Sequence, residues 1–379
     1  MNNELFDVFC RTIADGDKEG FDFLTSDMSR YSEDDKRDIL INATANSPSL
    51  DFYQYVISKG LDVTQKDDHD MSMLHYAGYS DVPEIPDYII RHGVDVNSVA
   101  EEHCTPILYA AAHTSNTKVI DILLAAGADI NVKDSTGTGV LHAAAGYNSK
   151  QAITEYFLQK GLDIEEKDVN GLTPVMLAAL NNSSADVITT LKNSGADFYA
   201  QTPQGGNLFH LAAENPYVEI TEYLAMFFSV YDTDRNGFTP IELAACRNRN
   251  PEVLETMLRC QKAENFFAAI LNDNPAMVRY MISHGCDPNM LSPKINRPIF
   301  YVAQNSTNVE IMETLISAGA ILNVKDPWGR NVAHYAAANK DTTIYDYLKE
   351  HYSEQIDFEA RDEDLNTPDI YKSSPDMFK

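Results

Sequence analysis

The sequence predicts an all-α solenoid of about eleven helix-turn-helix units, none of which buries its apolar face alone. Three observations carry that expectation. Eight segments lay over one another: HDMSMLHYAG (69–78), EHCTPILYAA (102–111), TGTGVLHAAA (136–145), NGLTPVMLAA (170–179), QGGNLFHLAA (204–213), NGFTPIELAA (236–245), KINRPIFYVA (294–303) and WGRNVAHYAA (328–337). A second block follows most of them, VIDILLAAGADIN (119–131) being typical. Its glycines stand at 60, 93, 127, 161, 195, 285 and 319, 33 or 34 residues apart where the copies are consecutive. Within that block apolar residues fall at i, i+3 and i+4, as in Val119, Ile122 and Leu123, which is the stripe of an amphipathic helix.

The elements follow in order along one solenoid, 1–379. An N-terminal helical pair, TIADGDKEGFDFL (12–24) within 1–31, serves as a cap. Regular repeats cover 32–232. In the repeats Thr105, Thr173 and Thr239 precede Pro106, Pro174 and Pro240, an N-cap hydroxyl ahead of a proline whose missing N–H costs nothing in the first turn. Alanine pairs such as Ala144–Ala145 and Ala178–Ala179 let neighbouring first helices approach closely. Each second helix ends at a glycine suited to the left-handed C′ position, and the chain then leaves for a projecting hairpin.

Over 233–290 the period breaks. Gly195 and Gly285 lie 90 residues apart, and the glycine-ended helices give way to MFFSVYDT (226–233) and MLRCQKAE (257–264). About ten residues are missing against the period, enough to delete one hairpin finger. The same region is electrostatically distinct: 235–297 carries Arg235, Arg247, Arg249, Arg259, Lys262, Arg279, Lys294 and Arg297 against six acidic residues. Regular repeats resume over 291–358, and 359–379, which restarts with Thr367 and Pro368, reads as a capping half-repeat.

The period and the TPLH-like first block make the chain similar to ankyrin repeat proteins, whose unit is a β-turn and two helices, and the match covers nearly the whole chain. Linkers such as NRNPEVLETML (248–258) resemble those of bacterial ankyrin arrays. The resemblance implies that a protein partner is met on the concave face by hairpin tips and by the exposed ends of the first helices. Carried over position by position, the tips offer Asp68, His69, Met71, Glu101, Glu102, Thr136, Asn170, Leu172, Gln204, Arg235, Asn236, Phe238, Lys294, Trp328 and Arg330. The first helices offer Tyr79, His113, Tyr147, Asn181, Arg247 and Asn339. It also implies that His75, His142, His210 and His334, all in the fourth place of the TPLH slot, tie adjacent loops together.

Composition narrows the function. With 29 Lys and Arg against 57 Asp and Glu, the net charge of −28 disfavours phosphate backbones and anionic membrane surfaces and favours a basic protein partner. No signal-peptide pattern or apolar run of membrane length is visible, so a cytoplasmic monomer is expected, with signal-peptide-independent secretion as the other route. Five cysteines, none in CxxC spacing, read as free thiols.

A calcium loop is suggested by DTDRNGFTPIEL (232–243), but its twelfth position is Leu243 where a bidentate glutamate is required. No catalytic or nucleotide fingerprint is present, so neither enzyme activity nor a cofactor is expected. The sequence therefore predicts a non-enzymatic protein-binding scaffold. It leaves a resident adaptor or inhibitor and a host-targeted effector both open.

Overall fold

The computed structural model describes residues 1, 3–271, 273–283, 285–291 and 297–378, the side chains of residues 264 and 376 excepted. Among these residues the chain is all-α, with only two isolated β-bridges, Lys66–Ser72 and Lys133–Gly139. Two compact units compose it. Unit 1 comprises Met1–Ile220 with Thr233–Phe238, and unit 2 comprises Thr221–Asp232 with Thr239–Lys379.

Unit 1 is built from helix pairs: Asn3–Ala14 with Lys18–Leu24, Glu33–Asn46 with Leu50–Ile57, Met73–Tyr76 with Glu84–Arg91, Pro106–His113 with Thr117–Ala125, Val140–Tyr147 with Gln151–Gln159, and Pro174–Asn181 with Ala185–Asn193. Consecutive first helices pack directly on one another because alanines face the contact, among them Ala110, Ala111, Ala144, Ala145, Ala178 and Ala179, all buried. At Gly78 the approach leaves no room for a side chain, since an added Cβ would stand 3.0 Å from the Ala110 Cα. Gly127, at φ +94°, ends the Thr117–Ala125 helix in the left-handed region, and the Ala128 N–H returns to the Leu123 carbonyl at 2.9 Å.

Two ladders hold the pairs in register. In the first, the histidine is the third residue of its helix, His210 lying on a further helix of unit 1, Leu208–Ala212. His75, His210 and His334 accept at Nδ1 from the N-cap backbone N–H of Ser72, Asn207 and Asn331 at 3.0, 3.2 and 3.2 Å. Nε2 faces a carbonyl of the following finger: His75 to Cys104 at 3.3 Å, His142 to Leu172 at 3.2 Å, His210 to Phe238 at 3.2 Å and His334 to Asn366 at 3.3 Å. The neutral Nε2–H tautomer satisfies both contacts, and burial depresses the pKa of His75, His142 and His334.

The second ladder is made of asparagines just beyond the first helices. Asn148 donates from Nδ2 to the Ala111 and Thr114 carbonyls, Asn182 to Ala145 and Asn148, and Asn215 to Ala179 and Asn182. Each therefore satisfies carbonyls left open at the end of the preceding first helix.

The expected N-cap hydroxyl holds in only one of the three Thr-Pro starts. Thr239 forms a capping box with Glu242, whereas the Thr105 and Thr173 hydroxyls are buried without a partner. The reason is local: the third helical residue is Glu242 in one case and the apolar Leu108 and Met176 in the others, so no side chain draws the hydroxyl into place.

In unit 2 the Pro240–Arg247 helix is followed by one 21-residue helix, Pro251–Leu271. It runs through the point where other second helices stop, because Gln261, Lys262, Ala263 and Glu264 are helix formers and no glycine interrupts them. Its second half behaves as a first helix, burying Phe266, Phe267 and Ile270 in a core shared with Ile299, Phe300 and Val302. The remaining helices are Pro275–Ser283, Pro298–Asn305, Val309–Ser317, Val332–Ala338, Thr343–Tyr352 and Pro368–Ser373, with Tyr371 closing the apolar end.

Candidate partner-binding surface

Most fingers are organised by one aspartate; in the 202–206 finger Thr202 takes its place, accepting from the Gly206 amide at 3.1 Å, and in the 100–104 finger the position is Ala100. Asp134 Oδ1 accepts from the Thr136 and Thr138 amides at 2.8 and 2.9 Å, and Asp168 does so from Asn170 and Leu172 at 2.9 and 2.8 Å. Asp326 repeats the arrangement with Trp328 and Arg330 at 2.9 and 2.8 Å. Burial alone would raise the Asp67 and Asp362 carboxyls, yet hydrogen bonds from Tyr76 and Tyr371 and from backbone amides hold both below the usual value.

The calcium-like stretch is one more such finger. Asp234 Oδ1 accepts from the Asn236 and Phe238 amides at 2.8 and 2.9 Å, so its carboxylate is directed at its own backbone. Among the described residues no group of three or more His, Cys, Asp or Glu is placed to hold a metal ion.

Neighbouring tips are bonded to one another. The Glu101 N–H donates to the His69 carbonyl at 3.0 Å, Ser135 to Glu102 at 2.7 Å, Val169 to Thr136 at 2.9 Å and Arg235 to Gln204 at 2.9 Å. The row is thus preorganised, which lowers the entropy lost when a partner docks. Along it Asp68, His69, Glu101, Glu102, Asn170, Gln204, Arg235, Asn236 and Phe238 are exposed, while Met71 and Leu172 are half-buried. His69 is tied to Glu101 at 2.9 Å and Asp68 to Arg37 at 3.2 Å.

At the first-helix ends of unit 1 the aromatic positions gather into a row. Tyr79 stacks on His113 at 4.6 Å between ring centroids, and Tyr109 meets both, at 5.5 Å and 4.6 Å. Tyr79 and Tyr147 are 45% and 55% exposed. A 240 Å³ cavity beside the row is lined by Tyr109, His113, Tyr147, Cys104 and Asp134, among others. Burial first, then Asp134 and Asp168, raises the Tyr147 hydroxyl pKa, and burial depresses that of His113. Tyr109 escaped the sequence reading, although it stands four residues before His113 on one helix face. Asn181 meets the row by donating to the Tyr147 hydroxyl at 3.4 Å.

Two expected contact residues are structural. Arg330 is 7% exposed, its guanidinium 4.4 Å from the Phe378 ring centroid and 3.5 Å from the Asp362 carboxylate, so it supports the finger from below. Asn339 belongs to the asparagine ladder, donating to the Ala303 and Ser306 carbonyls at 3.2 and 2.9 Å. The signal was in the sequence: Asn148, Asn182, Asn215 and Asn248 recur every 33 or 34 residues, one place beyond the positions chosen. Trp328 is 54% exposed on its turn, and Arg247 is exposed at the end of its helix. Lys294 lies outside the described residues.

Among the described residues no helix is long and apolar enough to cross a membrane. Comparison with known proteins yields three findings. A family model described as ankyrin repeats (3 copies) matches residues 40–134, 107–202, 181–265 and 266–362. Transient receptor potential cation channel subfamily A member 1 of Drosophila melanogaster is 33% identical over 79 residues, 21% of this chain and 6% of the channel, so the chain spans only a small part of that relative's length. The crystal structure of the human ASB11 ankyrin repeat domain is 22% identical with a TM-score of 0.44, covering 58% of this chain and 96% of that one. The matched segments extend over most of the sequence, and the glycine-ended helix pairs recur across them: the chain belongs to the ankyrin repeat family.

Proposed function

We propose that this chain is a non-enzymatic, monomeric scaffold that binds a basic protein partner on the fingers and first-helix ends of unit 1. Ankyrin repeats generally serve as protein–protein interaction modules. The observation that carries the reading is the aromatic row in which Tyr79, His113 and Tyr147 are exposed and Tyr109 is half-buried, with Asp134 lining the same cavity and the exposed Glu101 and Glu102 on a finger of the same unit. Aromatic faces attract Lys and Arg, and aromatic residues are the usual interface anchors. The carboxylates add steering and specificity towards a cationic surface. Five free thiols support a reducing compartment such as the cytoplasm.

The test is capture from source lysate on the immobilised full chain at low and high salt, repeated with the Tyr79→Ala, Tyr147→Ala double variant. Proteins with basic surfaces are retained, salt releases them, and the double variant loses them without a shift in its unfolding midpoint. Retention indifferent to salt and to both substitutions refutes the reading.

A further inference from the structure

Unit 2 contains a second surface with the opposite electrostatics. The uninterrupted Pro251–Leu271 helix supplies one wall, through Thr256, Arg259, Cys260 and Ala263, which follow helical spacing along a single face. The Pro298–Asn305 helix and the finger around Trp328 supply the other, with Phe300, Tyr301 and Gln304 at its base. Between them lies a groove of about 1320 Å³. That is larger than the usual small-molecule site of roughly 300–1,000 Å³ and suits a stretch of polypeptide.

The lining is apolar at the centre and cationic around it. Met226, Leu291 and Trp328 are exposed into an opening whose floor is Cys260, Ala263 and Phe300. A contiguous apolar surface rimmed by charge marks an interaction site. Arg259, Arg297, Lys325 and Arg330 line it against two carboxylates, Glu222 and Asp326, and Arg330 is paired beneath the lining with Asp362, so the surplus rests on Arg297 and Lys325. Glu222 is paired with Arg259 at 3.0 Å, and Asp326 is engaged by its finger amides and by the Tyr335 hydroxyl at 2.6 Å. Among the described residues Arg297 and Lys325 form no ion pair. In a chain of net charge −28, a groove with surplus cations is complementary to an acidic ligand.

We propose that this groove binds an extended peptide segment in which carboxylate side chains flank large apolar ones. The apolar residues fill the space between Trp328 and the long helix, and the carboxylates meet Lys325 and Arg297. A nucleic acid meets the same cations, but the rest of the chain repels a polyanion. The inference stands independently of the basic-partner reading for unit 1.

Trp328 is the only tryptophan, so intrinsic fluorescence of the full chain reports this groove directly. The probes are a short peptide alternating Glu and Leu around a central Phe, its Lys-for-Glu and Gln-for-Glu counterparts, and a single-stranded oligonucleotide. The Glu peptide should shift Trp328 emission saturably, the Gln peptide should bind more weakly and the Lys peptide most weakly. Lys325→Glu, at an exposed position, should weaken the Glu peptide roughly tenfold, with Arg259→Glu as the second variant and the unfolding midpoint checking both folds. The Tyr79→Ala, Tyr147→Ala variant should bind the Glu peptide unchanged, which separates this test from that of unit 1. The proposal is overturned if the Lys peptide binds as tightly as the Glu peptide, if the emission change survives both charge reversals, if no peptide binds, or if the oligonucleotide binds more tightly.

Discussion

Replacing Asn182 by alanine should be among the most damaging single polar substitutions in unit 1. The side chain is 1% exposed and makes three hydrogen bonds: Nδ2 to the Ala145 and Asn148 carbonyls at 2.7 and 2.9 Å, and Oδ1 from the Ser184 amide at 2.8 Å. Alanine removes all three and offers nothing in return. A buried polar group left unpaired costs about 1 to 3 kcal/mol; the Ser184 amide is half-buried and can rehydrate, so the two carbonyls dominate and the expected loss is about 3 kcal/mol. The assay is urea unfolding followed by far-ultraviolet circular dichroism, comparing midpoints at an unchanged m value. Asn181→Ala, one residue earlier and facing Tyr147, is the control and should stay within about 0.5 kcal/mol. Asn182→Asp keeps the acceptor for Ser184 but aims a carboxylate oxygen at two carbonyls, so it should be at least as destabilising as alanine. A loss under about 1 kcal/mol for Asn182→Ala, or an equal loss at Asn181, would refute the ladder argument.

Other expectations follow from the same geometry. Because burial depresses the His75, His142 and His334 pKa values, the folded chain refuses protons that the unfolded chain accepts below about pH 6.5. Stability is therefore full above that pH and falls on acidification towards pH 5, by up to about 1.4 kcal/mol per pH unit for each histidine held neutral. Equal urea midpoints at neutral and mildly acidic pH would contradict this. Arg330→Ala should cost about 3 kcal/mol by removing the buried guanidinium that neutralises Asp362 and packs on Phe378, whereas Trp328→Ala, at an exposed position, should lower stability far less; urea unfolding of the two variants decides. Gln261→Gly should lower helicity and cost about 1 kcal/mol, since position 261 lies inside a continuous helix and not at a terminus. Calcium calorimetry should show no binding heat, and Asp234→Ala should lower the unfolding midpoint in metal-free buffer, where loss of a metal ligand would change nothing.

Much of this could be read from the letters. The recurring glycines identify helix ends because φ near +90° is open to glycine and costly for residues with a Cβ. The histidine slot announced a repeated structural contact by recurring in one register, and the structure gives His75, His210 and His334 a partner at each ring nitrogen and His142 one at Nε2. Asn339 falls one place beyond the exposed end of its helix, and Arg330 stands only two residues after the tip residue Trp328, so spacing alone does not separate a supporting residue from an exposed one. Only packing against Phe378 and Asp362 distinguishes them.

By itself the sequence determined the repeat, the helix pairs, the family resemblance and the acidic balance, because each depends on local spacing and composition. Tertiary structure decided which hydroxyls cap a helix, which asparagines bridge repeats, and that Tyr79, Tyr109 and His113, drawn from two first helices, form one aromatic row. It also decided that the missing finger leaves a cationic, apolar groove. The physical reason is that these features are made by side chains about 30 residues apart, whose meeting depends on how first helices stack. A period fixes the existence of that stacking, but the partners of each side chain follow only from the distance between neighbouring backbones.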